Sequence, residues 1–342
     1  MKKIIITGGG TAGHIMPAIA LLPYLNEYEI HFIGGNSKLE NTILKPLNIN
    51  YHYTDVVKFD RGNLFKNFLL PIKLSKAVKE AKIILKKLDP QLIFCKGGYC
   101  ALPTAMAGIS LKIPIIVHES DKSLGLANKL VAPKAKAIIA PFDCAKKRYY
   151  TLPNPIREQI FNGDKTKIIK ELSLDDSKLT LLILGGSLGA VAINKAVEAS
   201  LPNLVGKFNI IHIVGKNNLS HNKTKNYFQF EYVSNIEDYY DLADIVITRG
   251  GASAVAEINA LGKKMLIIPL PTDNSRGDQI DNAKFYKQKN CAIVLLQEDL
   301  NDVTLVKSIN VLLNSPQPTS LYDVDTPKNI VKIINSIINN QN

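Results

Sequence analysis

Short apolar runs alternate with helical patterns along the first half of the chain. The apolar runs predict strands at residues 4–7, 29–34, 92–96 and 113–118. The segments between them predict helices at residues 17–26, 39–47 and 102–111. Near-continuous apolar strands that alternate with helices are typical of a parallel sheet covered on both faces. The pattern therefore predicts a doubly wound α/β domain, in which ligands bind beyond the carboxyl ends of the strands.

The alternating pattern is interrupted near residue 155 and then starts again. Pro153 and Pro155 break regular structure there, and a chain of 342 residues is longer than one hydrophobic core usually organises. We therefore predict two domains, 1–157 and 158–325, and a last helix in 326–342 that packs back on the first domain through apolar residues at helical spacing. Further strands are predicted at residues 179–184, 210–214, 228–233, 244–248 and 264–268, and further helices at 191–199 and 235–241.

A glycine-rich loop follows the first strand, and a similar loop opens the second half. The first loop runs from Gly8 to His14 and the second from Gly185 to Ala190. Glycine lets the backbone approach a ligand closely, and the helix that follows offers free N–H groups. His14 is the only side chain of the first loop that can exchange a proton near neutral pH. The first loop is therefore predicted to bring a ligand to a candidate base.

Charge and cysteine content narrow the classes of function. The net charge of +12 attracts nucleic acid, anionic lipid or phosphorylated small molecules. The four cysteines show no zinc-binding spacing, and we interpret them as reduced. The first residues lack the apolar region of a secretory signal, and no apolar run reaches the roughly 20 residues that span a bilayer.

The segment 61–87 combines basic and apolar residues. It carries eight Lys or Arg residues and a single acid, Glu80. We interpret its apolar residues as a patch that enters a lipid surface while the lysines meet anionic headgroups. A solvated basic helix is the alternative, and nucleic acid is disfavoured because no recognition fold or aromatic platform accompanies the charge. The proposed membrane residues are Leu64, Phe65, Phe68 and Leu69.

Neither of the two glycine loops fits a common nucleotide-binding motif. The first lacks the acid about 20 positions on that dinucleotide folds use for ribose, and neither is followed by the Lys-Ser/Thr pair of a P-loop. Glu257 lies near the start of a predicted helix after a third glycine turn, where its carboxylate suits ribose hydroxyls or the helix dipole. Ser187 and Arg157 suit a diphosphate, and a surface salt bridge is the alternative for Arg157.

Seven motifs, from the first strand to about residue 290, resemble in content and order those of the MurG family of glycosyltransferases. They are Thr7 to His14 with Pro17, Gly97 to Tyr99 with Pro103, His118 to Asp121 with Gly125 to Lys129, Asn154 to Arg157, Gly185 to Ala190, Arg249 to Glu257, and Asp278-Gln279 with Asn282-Ala283. An ordered set of this kind is far more specific than any single glycine loop.

The resemblance implies a GT-B fold, in which two Rossmann-like domains face an interdomain cleft. It implies an inverting enzyme that moves N-acetylglucosamine from its UDP donor to the muramyl 4-hydroxyl of lipid I, giving lipid II for peptidoglycan. It further implies no cofactor besides the donor substrate, and an enzyme at the cytoplasmic face of the bacterial cell membrane. The implied partners are lipid I and an anionic membrane surface, and no nucleic acid.

The resemblance also assigns roles to residues. His14 is the candidate base and Glu119 the reserve, and no metal is assigned because no Asp-x-Asp motif stands at a strand end. The acceptor-side residues are Tyr99, Asp121 and Asn128. The donor-binding residues are Thr11, Ala12, Gly13, Arg157, Ser187, Val233, Ala252, Ser253, Ala254, Val255, Ala256, Glu257 and Gln279.

Three positions depart from the family pattern, and three rival functions stay open. Ala12 replaces a usual glycine, Ala254 stands where many relatives have threonine, and Asp121 belongs to a Ser-Asp pair where some members have Gln-Asn. The rivals are a lipid glycosyltransferase that uses diacylglycerol, a UDP-sugar 2-epimerase, and a nucleic-acid-binding protein. The epimerase needs several carboxylates and bases in its cleft, of which the sequence shows few.

Overall fold

The structure is a computed structural model that describes residues 1–47, 49–55, 68–142, 147–186, 189–272 and 277–340. Three residues with predicted roles, Leu64, Phe65 and Ser187, lie outside the described residues. The described chain forms two compact units. The first unit is Met1–Arg157 together with Asp323–Asn342, and the second unit is Glu158–Tyr322.

The first unit is built on a seven-stranded sheet whose strand order is β3-β2-β1-β4-β5-β6-β7. All neighbouring strands in it are parallel. The strands are β1 (Lys2–Thr7), β2 (Tyr28–Gly34), β3 (Asn50–Tyr53), β4 (Leu92–Cys95), β5 (Ile115–His118), β6 (Ala137–Ala140) and β7 (Tyr149–Thr151). Its α-helices are α1 (Met16–Ile19), α2 (Lys38–Leu44), α3 (Leu70–Leu88), α4 (Ala101–Ser110), α5 (Leu126–Val131) and α12 (Thr326–Asn339).

The second unit is built on a six-stranded parallel sheet whose strand order is β10-β9-β8-β11-β12-β13. Its strands are β8 (Leu179–Leu184), β9 (Phe208–Ile213), β10 (Tyr227–Phe230), β11 (Ile245–Thr248), β12 (Lys264–Ile267) and β13 (Ile293–Val294). Its α-helices are α6 (Lys165–Leu172), α7 (Val191–Leu204), α8 (Ile236–Leu242), α9 (Ala252–Ala260), α10 (Asp278–Gln288) and α11 (Asp302–Leu313). The predicted pair of doubly wound α/β domains is therefore confirmed.

Alternate residues of the central strands fill the two cores of the first unit. Ile6 and Phe94 pack with the apolar stripe of α12, which consists of Ile330, Ile334 and Ile338. Successive side chains of a strand point to opposite faces, and Ile5 and Cys95 accordingly join the core under α3 and α4 on the other face. The last helix thus covers one face of the first sheet.

The predicted single helix at 17–26 is wrong. The segment forms the short helix α1 and then a 3-10 turn at Leu22–Tyr24. Pro17 is tolerated in the first turn of a helix, whereas Pro23 lacks an N–H donor and its ring clashes with the carbonyl four residues back. Pro23 therefore prevents α1 from continuing.

Parallel strands gather the loops that follow them at one edge of each sheet. In the first unit, the loops after β1, β4 and β5 begin at Gly8, Lys96 and Glu119. In the second unit, the loops after β8 and β11 begin at Gly185 and Arg249. All of the predicted glycine loops therefore lie at carboxyl edges, where ligands bind in such sheets.

Candidate functional site

His14 closes a 3-10 turn at Ala12–His14 that follows β1. Its backbone N–H donates to the Thr11 carbonyl at 3.1 Å, and its Nδ1 lies 3.0 Å from Thr11 Oγ1. When Nδ1 carries the proton it donates to Thr11 Oγ1, and Nε2 then carries the basic lone pair. In that tautomer, Nε2 is the basic nitrogen of the imidazole.

The loop after β4 packs directly on the first glycine loop. Gly98 has φ +79°, and a Cβ at this position would lie 2.5 Å from the Gly9 carbonyl oxygen and 3.0 Å from His14 Nδ1. A Cβ on Gly10 would lie 2.5 Å from the ring of Tyr99. Only glycine permits both the positive φ and this approach. The packing brings His14 and Tyr99, a predicted base and a predicted acceptor-side residue, into one cluster.

Glu40 holds the first glycine loop through a hydrogen bond to its backbone, a role that the sequence analysis missed. Its buried carboxylate accepts hydrogen bonds from the backbone N–H groups of Gly10 at 3.2 Å, Gly35 at 3.3 Å and Ser37 at 3.0 Å. Ser37 Oγ accepts from the Glu40 N–H, so the pair forms a capping box at the start of α2. The Ser-x-x-Glu spacing is a signal from which this role can be read.

Glu119, the reserve base, is fully occupied as a hydrogen-bond acceptor. Its Oε1 accepts from the N–H groups of Ser120 at 2.9 Å and Asp121 at 3.2 Å, and its Oε2 accepts from Gly125 N–H and Asn128 Nδ2 at 2.8 and 2.9 Å. Four donors occupy the lone pairs that a base would need. The geometry gives Glu119 the role of holding the loop between β5 and α5.

The two other acceptor-side residues differ in exposure. Asn128 is buried, and its Nδ2 also donates to the His118 carbonyl at 3.2 Å. It therefore braces the loop from α5 and presents little surface to a substrate. Asp121 on the same loop is only partly buried. Of the predicted residues on this loop, Asp121 is therefore the most exposed.

In the second unit, the glycine loop after β8 presents open backbone. A Cβ on Gly186 would meet no atom of the described residues within 4 Å, and the Gly189 N–H donates to the Gly186 carbonyl at 2.9 Å. Helix α7 follows, and Asn194 on it is hydrogen-bonded to a buried histidine, His212, at 3.0 Å. Exposed backbone before a helix N-terminus suits a phosphate group.

The predicted donor residues 252–257 lie in the first two turns of helix α9 and differ in burial. Gly251 precedes it in an extended conformation, and the Ser253 hydroxyl is buried without a hydrogen-bond partner among the described residues. Val255 is wholly buried in the protein interior, which prevents donor contact through its side chain. Of the remaining predicted residues, Ala256 is also buried, and Ala252, Ser253, Ala254 and Glu257 are partly buried.

Arg249 and Gln279 tie the loop after β12 to the α9 turn. The Arg249 guanidinium donates to the carbonyl oxygens of Ile268 and Pro269 at 3.1 and 3.3 Å. Gln279 Oε1 accepts from the Leu270 N–H at 3.0 Å. The predicted sugar-binding amide of Gln279 is therefore held beside this loop by its oxygen.

The remaining predicted donor residues are placed as follows. Val233 lies between β10 and α8 and is partly buried. Arg157 is partly buried and is the last residue of the first unit before the chain enters the second. Thr11 is exposed, and Ala12 and Gly13 are partly buried.

Exposed apolar side chains stand at the start of α3. Phe68 is 86% exposed, Leu69 51% and Ile72 69%. Farther along the helix, Lys76 forms an ion pair with Asp55 at 2.8 Å. We call Phe68, Leu69 and Ile72 the apolar patch. Among the described helices, none is both long enough and apolar enough to cross a membrane.

Comparisons with protein families cover most of the chain. The model of the glycosyltransferase family 28 N-terminal domain matches residues 4–140, and that of the family 28 C-terminal domain matches residues 180–333. Among the residues that the structure describes, no group of three or more His, Cys, Asp or Glu side chains is arranged to hold a metal ion.

Curated relatives match over nearly their full length. The chain is 42% identical over 320 residues to a protein of Lachnoclostridium phytofermentans, covering 91% of this chain and 90% of the relative. It is 43% identical over 322 residues to one of Clostridium botulinum, covering 91% of each. Both are named UDP-N-acetylglucosamine–N-acetylmuramyl-(pentapeptide) pyrophosphoryl-undecaprenol N-acetylglucosamine transferase.

Solved structures share the fold. MurG of Acinetobacter baumannii has a TM-score of 0.76 at 24% identity and covers 98% of this chain and 100% of its own. UDP-GlcNAc 2-epimerase of Neisseria meningitidis has a TM-score of 0.65 at 14% identity, with the same coverage. At such identities the likeness is one of fold alone.

Proposed function

Because this chain belongs to glycosyltransferase family 28, we propose that it is a UDP-N-acetylglucosamine-dependent transferase that glycosylates the muramyl 4-hydroxyl of lipid I and so makes lipid II. The observation that carries the proposal is the identity of 42–43% to transferases of that name over 91% of the chain. The 2-epimerase resembles this chain at only 14% identity, so its likeness supports no shared reaction.

The proposed reaction is one in-line displacement at the anomeric carbon. The acceptor 4-hydroxyl oxygen forms a bond to C1 of the donor sugar while the bond from C1 to the UDP oxygen breaks. His14 Nε2 takes the hydroxyl proton as the bond forms, while Nδ1 lies 3.0 Å from Thr11 Oγ1. Attack from the side opposite UDP inverts the anomeric centre and gives a β1→4 linkage.

The leaving UDP is proposed to be stabilised by fixed dipoles and a guanidinium. The open backbone at Gly186 and the start of α7 suit the diphosphate, and Ser187 and Arg157 are proposed to add polar contacts. Glu257 is proposed to accept the ribose hydroxyls, and Gln279 to contact the sugar. Ser253 lies on α9 four residues before Glu257, and its buried hydroxyl has no hydrogen-bond partner among the described residues, which supports this placement of the donor.

The acceptor is a lipid, which requires the enzyme to work at a membrane surface. We propose that the apolar patch enters the lipid and that nearby lysines of α3 meet anionic headgroups on the cytoplasmic face. The net charge of +12 favours an anionic surface. The Lys76 ion pair with Asp55 removes that lysine from the contact.

The direct test is incubation with radiolabelled UDP-N-acetylglucosamine and a soluble lipid I analogue. We expect label in a β1→4 disaccharide product. Parallel reactions with diacylglycerol, and with UDP-N-acetylglucosamine alone, test the rival lipid transferase and the epimerase. Glycosylated diacylglycerol or a 2-epimer, without the disaccharide, would overturn the proposal.

A further inference from the structure

Two buried polar side chains, Lys96 and His118, lie at the ends of the neighbouring strands β4 and β5 and have no hydrogen-bond partner among the described residues. The register of β4 with β5 pairs Cys95 with Val117, so the next residues, Lys96 and His118, are neighbours on one face. Both are wholly buried. Within the described part of the chain, nothing hydrogen-bonds to Lys96 Nζ or to either ring nitrogen of His118.

Lys96 also lies against the loop that carries His14. A Cβ on Gly8 would lie 3.1 Å from Lys96 Cβ and 2.5 Å from the His14 carbonyl oxygen. The Lys96 N–H donates to the Thr7 carbonyl at 2.8 Å. The stem of Lys96 is thus clamped between the first glycine loop and the end of β5.

The charges that act on Lys96 come mainly from the loop after β5. Burial lowers the pKa of Lys96, and the negative charges of Glu119 and Asp121 oppose that shift, with a smaller contribution from Cys95. The pKa of His118 is lowered well below its usual range by burial and then by Lys96, so the imidazole is neutral. Burial thus disfavours the protonated form of the Lys96 amino group, and the charges of Glu119 and Asp121 favour it.

Neither carboxylate pairs directly with the ammonium. No ion pair within 4.0 Å joins Lys96 to Glu119 or Asp121 among the described residues, and the Glu119 lone pairs are filled by four N–H donors. Ser120 Oγ and Asn154 Oδ1 are likewise buried without partners. Buried polar groups left in this way are usually bridged by ordered water, whereas a dry, unpaired ammonium is costly.

We propose that Lys96 is a positioning residue whose buried ammonium acts through bound water on the loop of Glu119 and Asp121. The loop presents Asp121 to the acceptor, so this inference rests on the proposed function. Lys96 compensates the charge of the loop without touching substrate. The stem of Lys96 also packs against the first glycine loop at Gly8. Lys96 therefore couples this loop to the loop after β5, and both loops flank the acceptor in the proposed function.

A double-mutant cycle tests the charge compensation independently of the reaction. Lys96→Met, Asp121→Asn and the double variant are compared by urea unfolding. Lys96→Met removes a cation whose charge interacts with the loop anions, and Asp121→Asn removes one of those anions, so the unfolding cost of the double variant is expected to be less than the sum of the single costs. Costs that simply add would overturn the inference.

Substrate kinetics test the positioning role. Lys96→Met is expected to raise the KM for the lipid I analogue by roughly tenfold, equivalent to a single hydrogen bond to a charged group, with the KM for UDP-N-acetylglucosamine nearly unchanged. Thr104→Val is the matched control and should change neither KM, because it removes a buried hydroxyl of the same unit that has no hydrogen-bond partner among the described residues. An equal rise in both KM values would show a general structural defect and overturn the role.

A measurement on the unsubstituted protein covers the case in which Lys96→Met does not fold. The 13Cε resonance of Lys96 is expected to show a charged ammonium at neutral pH, and Asp121→Asn is expected to lower the pH at which it titrates. A neutral amine at neutral pH would overturn the inference. If no transferase activity is found, this titration and the unfolding cycle still decide whether Lys96 compensates the loop, separately from the proposed function.

Discussion

The Glu40 carboxylate accepts a hydrogen bond from the backbone N–H of Gly10 at 3.2 Å, across 30 positions of sequence. Its Oε1 also accepts from Gly35, so this one oxygen joins the loops after β1 and β2. The shape of the first glycine loop therefore depends on a side chain outside the seven family motifs.

Replacement of Glu40 by Gln should damage both stability and turnover. The amide of Gln has one acceptor oxygen, and its NH2 group would face the backbone N–H of Gly35 or Ser37. A buried donor without an acceptor lowers the free energy of unfolding by about 1–3 kcal/mol. Urea unfolding should show a loss of this size, and turnover should fall because the first loop is misplaced. Glu27→Gln, at an exposed surface turn, is the control. Equal stability of the two variants would contradict the role of Glu40.

Removal of the His14 imidazole should slow the chemical step. His14→Ala is expected to reduce kcat by roughly 10²-fold or more, the usual scale for a general base, with little change in the KM for the donor. Thr11→Val removes the hydroxyl that orients Nδ1 and is expected to cause a smaller loss. Steady-state kinetics at saturating acceptor measure both. Unchanged kcat in His14→Ala would remove this residue from the mechanism.

The apolar patch should govern membrane binding rather than chemistry. Phe68→Ser, Leu69→Ser and Ile72→Ser, combined, should weaken sedimentation with vesicles that contain anionic lipid, while turnover of a soluble acceptor analogue stays nearly intact. Val303→Ser with Val311→Ser, which alters exposed apolar residues on α11, is the matched control and should sediment normally. Parallel loss of binding and turnover would show that the patch supports the fold.

His212 should make the protein less stable in acid. Burial lowers its pKa from the ordinary 6.5 to about 4, and the neutral ring is hydrogen-bonded to Tyr227 and Asn194. Between pH 6.5 and about 4, the His212 imidazole is therefore protonated in the unfolded chain but stays neutral in the folded chain. Stability is fully present above pH 6.5 and falls as the pH drops toward 4, by about 3 kcal/mol in all. Urea unfolding across this pH range measures how the free energy of unfolding depends on pH. That dependence should be weaker in His212→Asn than in His221→Asn, which changes an exposed histidine.

Two of the strands that were predicted correctly, β1 and β4, have side chains that are buried on both faces. Ile4 to Ile6 of β1 and Leu92 to Cys95 of β4 are wholly or almost wholly buried, so their sequences are continuous apolar runs. The edge strand β3 (Asn50–Tyr53) is only partly buried and carries polar residues, so its sequence lacks the apolar run that predicts a strand. Sequence pattern finds central strands because burial on two faces leaves no room for polar side chains.

The glycine loops of the candidate site could be predicted from the sequence because their backbone geometry requires glycine. The long side chains that hold these loops were harder to predict. The loops of Gly8 to His14 and Gly97 to Tyr99 stand out in sequence, and the structure packs them together. Glu40 and Lys96 contact the first of these loops from outside it, and the residues that they contact there are distant along the chain. Only Glu40 has a local signal, the capping box at Ser37.

The position of α12 has a consequence for the order of events during synthesis. Ile330, Ile334 and Ile338 complete the core that contains Ile6 and Phe94, although more than 200 residues separate them along the chain. Translation delivers residues 158–322 before these isoleucines, so the second unit is available to fold while the first still exposes part of its sheet. The unit made first is therefore the one completed last, which reverses the usual order of domain folding on the ribosome.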